Sequence, residues 1–418
     1  MGLLDALFGK DAAVVADTDF QLLLLANVTA PLGIALISPI LDTLTGPFGV
    51  SATQIGLLVS LMSAPGIVVI PLVGFLSDRY GRKAVLTAGL LLFGVAGVAI
   101  SFTTSFHVVL ALRLLQGFGF AGIVPVIITS VGDMYEGGAE ATAQGLRFSI
   151  SGVSLVVFPV LAGVLIAFGW QYPFLLYGIA VPLAAMIALW FDEPTDDAPA
   201  AAEATPAHAD ETPVRDVLRL ASRPRVLAVL VGRGLPVVVW TAFLTYNSMF
   251  VVRVLGGTPQ DAGLLVGAGA VTFAGAASQA GRVTAAFESR AGPLLGANVC
   301  LAGGFGLVAV APTLLVAGAG AVATGAGFGI LLALYRSSIT GLAPERIRGG
   351  LVSSAESLGR VAATGTPILL GAAVGALRPA IGFGTAVRWT NLGAAVLVGV
   401  LGIACLAVGR DALEGAER

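Results

Sequence analysis

The sequence predicts an all-α membrane protein: twelve transmembrane helices in two six-helix bundles. Three observations predict it. Hydrophobic residues make up 57% of the 418 residues and charged ones only 11%, where soluble domains carry about 25% charge. Apolar runs of about 20 residues, enough to cross a bilayer, recur along the chain. One polar stretch rich in alanine, proline and acid divides these runs six and six.

The elements follow in order from the charge-free intervals. The first span falls at 20–41, the second within 43–77 and the third at 84–112, and 114–132 is the body of the fourth, which Arg113 joins. The interval 148–191 is uncharged and too long for one crossing. It contains Gly169-Trp170-Gln171-Tyr172-Pro173, a turn with aromatic anchors, and so reads as a hairpin of two helices. Residues 192–223 form a cytoplasmic linker, disordered in its acidic first half. Its end, 213–222, reads as a short amphipathic helix on the membrane surface. Six more spans follow at 224–252, 260–284, 292–311, 313–338, 350–374 and 384–408, the third and fourth separated at Ala311-Pro312-Thr313. The organisation is thus a tail at 1–19, a bundle at 20–191, the linker, a second bundle at 224–408 and a tail at 409–418.

Orientation comes from the basic residues. Of 22, Arg253, Arg378 and Arg388 fall in outer segments if the N-terminus is cytoplasmic, and Arg113, Arg233 and Arg360 fall within spans. All others lie inside, so both termini and the linker are expected in the cytoplasm and the protein in the plasma membrane. The first residues carry three acids by Asp17 and lack the charge pattern of a signal peptide, so they read as a tail rather than a cleaved leader.

Composition also excludes functions. A net charge of −2 implies no nucleic-acid partner. Cys300 and Cys405 lie in apolar runs and cannot make a disulfide framework. The two histidines, His107 and His208, fall at a span end and in the linker, so no metal or other cofactor is expected. An intramembrane enzyme would need a Ser/His or paired-acid site at depth. A membrane sensor would bring a large soluble output domain. A nucleotide-driven pump would bring a P-loop. None of these is legible here.

The halves carry a trace of duplication. Ala141 precedes Pro159 by 18 positions at the fifth span, and Gly349 precedes Pro367 by 18 at the eleventh, an offset of 208. Parallel repeats of this kind build some secondary transporters.

The most informative motif lies between the second and third spans: Gly74-Phe75-Leu76-Ser77-Asp78-Arg79-Tyr80-Gly81-Arg82-Lys83. The loop is tight, and Gly81 suits a positive φ. Gly74 permits close helix packing, and Asp78 can cap a neighbouring helix N-terminus. This segment resembles the G-x-L-x-D-R-x-G-R-[RK] signature of the major facilitator superfamily. The fourth span reads Arg113-Leu114-Leu115-Gln116-Gly117-Phe118-Gly119, similar to that family's R-x-x-Q-G-x-G helix, and Asp133 ends it. The resemblance is closest to twelve-helix drug and small-molecule proton antiporters. It implies alternating access, a latch between Arg82 and Asp133, Asp78 near the start of helix 11, and a proton-coupling role for Arg113.

Two departures qualify it. The fifth span keeps Pro159 and Gly163 of the exporter pattern but has Ser154, Phe158 and Ala162 at its other positions. The second-half copy of the loop keeps Arg290 and Gly292 but has Ser289 for the aspartate.

Charges at membrane depth mark function. Glu356 and Arg360 lie four apart in the eleventh span and share a face, where they can pair. Glu356, the single carboxylate well inside a span by these boundaries, is the expected proton carrier. Arg233 sits in the breakable stretch Gly232-Arg233-Gly234-Leu235-Pro236. Arg113 has a second reading, as a hydrogen-bonder to backbone carbonyls. Gln116 and Asn27 are candidate cavity hydrogen-bonders, with interhelical glue as the alternative. The expected function is proton-coupled efflux of a small molecule by a monomeric transporter. Three buried arginines against one glutamate keep open the alternative, transport of organic anions or neutral metabolites.

Overall fold

The computed structural model describes residues 12–193, 212–287, 289–342 and 344–415. The expected N-terminal tail and the acidic half of the linker fall largely at 1–11 and 194–211, outside the described residues. Among the described residues there are helices and no strands, as a hydrocarbon environment demands of a chain that does not close into a barrel.

Twelve helices are long and apolar enough to cross a membrane. They are α1 Thr18–Phe48, α2 Ala52–Ile70, α3 Arg82–Phe102, α4 Phe106–Met134, α5 Thr142–Leu165, α6 Tyr172–Trp190, α7 Pro224–Val254, α8 Pro259–Thr284, α9 Ala291–Val310, α10 Leu314–Leu342, α11 Gly350–Ile381 and α12 Phe383–Arg410. The turn at Gly169 separates α5 from α6, and Ala311 to Thr313 separates α9 from α10, as the sequence predicts. The helix Thr212–Ala221 precedes α7; it packs Val217 onto Gly350 and leaves Leu218 63% exposed.

The spans outrun the charge-free intervals. α1 continues to Phe48 and takes in Asp42, so Glu356 is not alone as an acid within a span. α5 takes in Arg147, which is 4% exposed. Both residues were placed outside the spans because a charge was read as a boundary. Asp42 pairs with Arg253 from α7, and Arg147 bonds Gln144 one turn away and lies over the Phe148 ring.

By packing, the chain divides into two units. The first comprises Met1–Ile37, Leu61–Phe158 and Leu165–Pro206; the second comprises Ser38–Ser60, Pro159–Val164 and Ala207–Arg418.

In the first unit, α3 and α4 cross at Gly89 and Gly119. A Cβ at either position would stand under 3 Å from the other's carbonyl oxygen, so the two backbones touch, the approach that small residues permit between membrane helices. α1 is interrupted. It is α-helical over Thr18–Asn27, turns through a 3-10 segment at Ala30–Gly33 and resumes at Leu41–Phe48. Pro31 and Pro39, which lack an N–H, lie in this interruption. At the start of α1, Asp17 caps the helix through the amides of Asp19 and Phe20 and accepts the Tyr135 hydroxyl at 2.6 Å. Burial, and then the Asp17 carboxylate, hold the Tyr135 phenol above its usual range.

In the second unit, α9 and α10 cross in the same manner at Gly304 and Gly320. Here α5 meets α8, and α2 meets α11, through small residues. Gly163 lies against Pro259 and Gln260, and Gly263 against Pro159. Gly371 lies against Thr53, and Gly56 against Pro367. α1 meets α7 through four hydrogen bonds. Ser38 donates to the Leu244 carbonyl, Ser248 to the Pro39 carbonyl, the Asp42 amide to Ser248 Oγ and Arg253 to Thr45. Each joins residues 206 to 209 positions apart.

Candidate functional site

Four clusters among the described residues hold the polar residues that the sequence singles out. The first is the α2–α3 turn. Gly81 has φ 89° and ψ 152°, a region essentially confined to glycine. This conformation starts α3 directly at Arg82, whose Nε lies 3.0 Å from Asp133 Oδ2 at the end of α4. Arg79 stacks over the ring of Tyr80 at 5.5 Å. The Lys83 amide donates to the Glu193 carboxylate at 2.6 Å, and that carboxylate folds over Gly81. Glu193, placed by its sequence in the linker, thereby ties the end of α6 to this turn. Gly74 and Asp78 lie on the helix Pro65–Tyr80, and the Asp78 side chain is outside those described.

The second-half counterpart has hydroxyls among the partners of its arginine. Arg290 Nη1 donates to the hydroxyls of Ser337 and Ser338, both at 3.3 Å.

The second cluster centres on Arg113, which is fully buried. Its Nη1 donates to Gln116 Oε1 at 2.8 Å and to the Tyr177 hydroxyl at 3.0 Å, and its Nη2 to the Gly33 carbonyl at 2.6 Å. Tyr177 in turn donates to the Leu32 carbonyl, and Gln116 Nε2 to the Phe93 carbonyl. The Leu32 and Gly33 carbonyls lie where regular α-helical pairing in α1 is interrupted. Arg113 thus knits α1, α4 and α6, and Gln116 adds α3. Of the two sequence readings of Arg113, this geometry realises the hydrogen-bonder to carbonyls.

The third cluster joins α1 to α5. Asn27 Nδ2 donates to the Arg147 carbonyl at 3.0 Å and to Ser151 Oγ at 2.6 Å. Arg147 Nε bonds Gln144 Oε1 at 2.8 Å. Asn27 is fully buried, so it bridges helices rather than lining open space.

The fourth cluster lies between α7 and α11. Arg233 Nη2 and Glu356 Oε1 are 3.0 Å apart, with the Arg233 side chain 7% exposed and that of Glu356 45% exposed. Sequence spacing offered Arg360 as the glutamate's partner; the structure adds Arg233, from another helix. Arg233 Nη1 is buried without a hydrogen-bond partner and faces Gly359. The Tyr335 hydroxyl packs against Gly232. In the same unit, Arg253 pairs with Asp42 and bonds Thr45. Asp42 stands at the outer end of the first charge-free interval, and nothing in its local sequence points to Arg253 on another helix.

This arrangement defines a polytopic helical membrane protein with charge pairs in and beside its spans. The family model of the Major Facilitator Superfamily matches residues 23–364. The chain belongs to the Major Facilitator Superfamily. It is 33% identical over 152 residues to the bacillibactin exporter of Bacillus subtilis (strain 168), covering 34% of this chain and 37% of that protein. It is 28% identical over 236 residues to the class H tetracycline resistance protein of Pasteurella multocida, covering 54% of this chain and 58% of that one. The match therefore spans between a third and three-fifths of these relatives' lengths. A bacterial homologue of the human lysosomal transporter Spinster, solved in an inward-facing, unoccupied conformation, superposes with a TM-score of 0.74 at 16% identity, covering 95% of each chain. At that identity the likeness concerns the fold.

Proposed function

We propose that this chain is a proton-coupled exporter of small molecules, acting as a monomer in the plasma membrane with both termini cytoplasmic. Twelve spans, a basic inner face and partial similarity to exporters support the reading. The observation that carries it is the Arg233–Glu356 pair. A buried guanidinium there holds a carboxylate that is itself nearly half exposed. Such a carboxylate can exchange protons with water, and each protonation removes the charge that holds Arg233. Coupling would run through Glu356, Arg233 and Arg360. Arg113, Gln116 and Asn27 would hold the first unit rigid around the moving charges. The turn from Gly74 through Asp78, Arg79, Gly81, Arg82 and Lys83 would, with Asp133, latch the cytoplasmic side. Asp42 and Arg253 would close the other.

One observation favours a second reading, transport of an organic anion. Arg233 Nη1 is buried and unpartnered, and an anionic group could take it. Linkage then fixes a sign. An anion on Arg233 weakens that residue's hold on Glu356 and favours its protonation, so anion and proton reinforce each other and move together. A cationic cargo competes with the proton for Glu356 and exchanges against it instead.

The test uses everted vesicles energised to an acid interior, with a pH dye, candidate cargoes added singly, and Glu356→Gln in parallel. Exchange predicts that an exported cargo dissipates the gradient in the parent and not in the variant. An anionic cargo whose entry acidifies the lumen further selects the second reading. Identical responses in parent and variant would remove Glu356 from the coupling path.

A further inference from the structure

The short helix Thr212–Ala221 has two different faces. Val217 seats on Gly350 of α11, so that side belongs to the protein. Arg215, Leu218, Arg219 and Ser222 follow at the i, i+3, i+4 and i+7 spacing of a single helix face, and all four are exposed. Leu218 is 63% exposed. Arg223 then breaks the axis with an extended backbone, φ −65° and ψ 130°, and α7 starts at Pro224. Arg223 and Arg225 are exposed as well, and Leu227, on the first turn of α7, is 45% exposed. Four arginines thus fall within 215–225, against the single acid Asp216, beside the start of a span. We propose that this face binds the anionic phosphate headgroups of the membrane leaflet it adjoins.

Charge and shape select the occupant. A guanidinium is a planar fork that takes phosphate oxygens two at a time, and a cluster of arginines beside a span is drawn to an anionic leaflet. A zwitterionic headgroup has no net charge to offer and is held more weakly. Leu218 stands between Arg215 and Arg219, so the occupant must meet an apolar side chain along with the charges. The boundary between headgroups and acyl chains does both. The acidic half of the linker offers charge alone. Residues 194–211 contain Asp196, Asp197, Glu203, Asp210 and Glu211 but no leucine, isoleucine, valine, methionine or phenylalanine, and so nothing suited to cover Leu218. Headgroup binding here is independent of the cargo and of its coupling ion.

The test uses the full-length protein with Cys300→Ser and Cys405→Ser, and with Leu218→Cys carrying an environment-sensitive fluorophore. It is placed in nanodiscs of dioleoyl phosphatidylcholine, alone or mixed with dioleoyl phosphatidylglycerol. With the anionic lipid, emission should shift to the blue, and a quencher on the acyl chains should quench the probe about twofold more strongly. High salt should reverse both changes. Arg215→Gln with Arg219→Gln should remove the difference between the two lipids. Arg215→Lys with Arg219→Lys should retain part of it, which separates loss of charge from loss of fold. Equal emission and quenching in the two lipids overturns the proposal, as does a difference that the glutamine pair leaves intact. A probe shielded in both lipids, and exposed once Asp196, Asp197, Glu203, Asp210 and Glu211 are neutralised, would assign the face to the linker and overturn it too.

Discussion

Pro159 on α5 rests its carbonyl oxygen against Gly263 on α8, 2.6 Å from where a Cβ would stand. The corresponding proline of the second half, Pro367 on α11, rests on Gly56 of α2, at 3.4 Å. Pro159 and Pro367 are 208 positions apart, and Gly56 and Gly263 are 207 apart. Gly163 and Gly371, one turn further on, repeat the relation against Gln260 and Thr53. The duplication legible as two spaced prolines is thus also a duplication of contacts.

Gly263→Val should be incompatible with this seat, because its side chain would overlap the Pro159 carbonyl and force α5 from α8. The expected outcome is loss of transport with normal membrane insertion. A thiol introduced as Thr45→Cys, with Cys300 and Cys405 replaced by serine, should react several-fold faster with a membrane-impermeant maleimide. Unchanged labelling would mean that the seat does not hold this end closed.

Arg113→Ala should destabilise the protein. It strips partners from Gly33, Gln116 and Tyr177, all buried, and each unsatisfied buried group costs about 1–3 kcal/mol. A net loss of about 2–4 kcal/mol is expected after relaxation, read from unfolding in detergent followed by helical signal. Arg113→Lys should recover little of it, because a single ammonium cannot reproduce the planar fork. Stability equal to the parent in either variant would contradict the knitting role.

The Arg82–Asp133 pair is partly solvated, with side chains 22% and 41% exposed. Its worth to stability is therefore at most about 1 kcal/mol. Arg82→Asp and Asp133→Arg should each depress transport while leaving the melting temperature nearly unchanged, and the double exchange should restore part of the activity. Failure of the double variant to exceed either single one would show that the pair does not act as a latch.

Gly81→Ala should cost about 1–3 kcal/mol, since φ 89° and ψ 152° are essentially closed to residues with a Cβ. That Cβ would also meet the Glu193 carboxylate. The measurement is the unfolding midpoint, and an unshifted midpoint would show that the turn can adopt another conformation.

The fold was legible because hydrocarbon leaves so few solutions; span number, the Gly169 turn and the Pro312 break all follow from composition and length. Within the turn, Gly81 was legible because a tight loop leaves little choice of conformation, and the contact between Arg82 and Asp133 was implied by the family resemblance alone. What escaped the sequence was pairing at long range. Glu193 sits 110 positions from Lys83, and Tyr177 sits 64 from Arg113. Asp42 belongs with these, since its partner Arg253 lies on another helix and no local pattern reveals it. The partner of Glu356 was read from helix periodicity as Arg360, because periodicity sees one helix at a time. Arg233 approaches from another.

Arg113 has an electrical consequence. A guanidinium stays protonated at every pH a cell meets, and the oxygens that hold it, from Gly33, Gln116 and Tyr177, are uncharged. The first unit therefore holds at this position a guanidinium whose own charge does not titrate. Moving one elementary charge across the full membrane potential is worth about 2.3 kcal/mol per 100 mV, but a charge anchored to four helices does not move relative to them. Arg113 therefore exchanges no proton during turnover. Any voltage dependence of turnover then reports on the cargo and on groups that change protonation, which makes current–voltage curves a direct readout of what is carried.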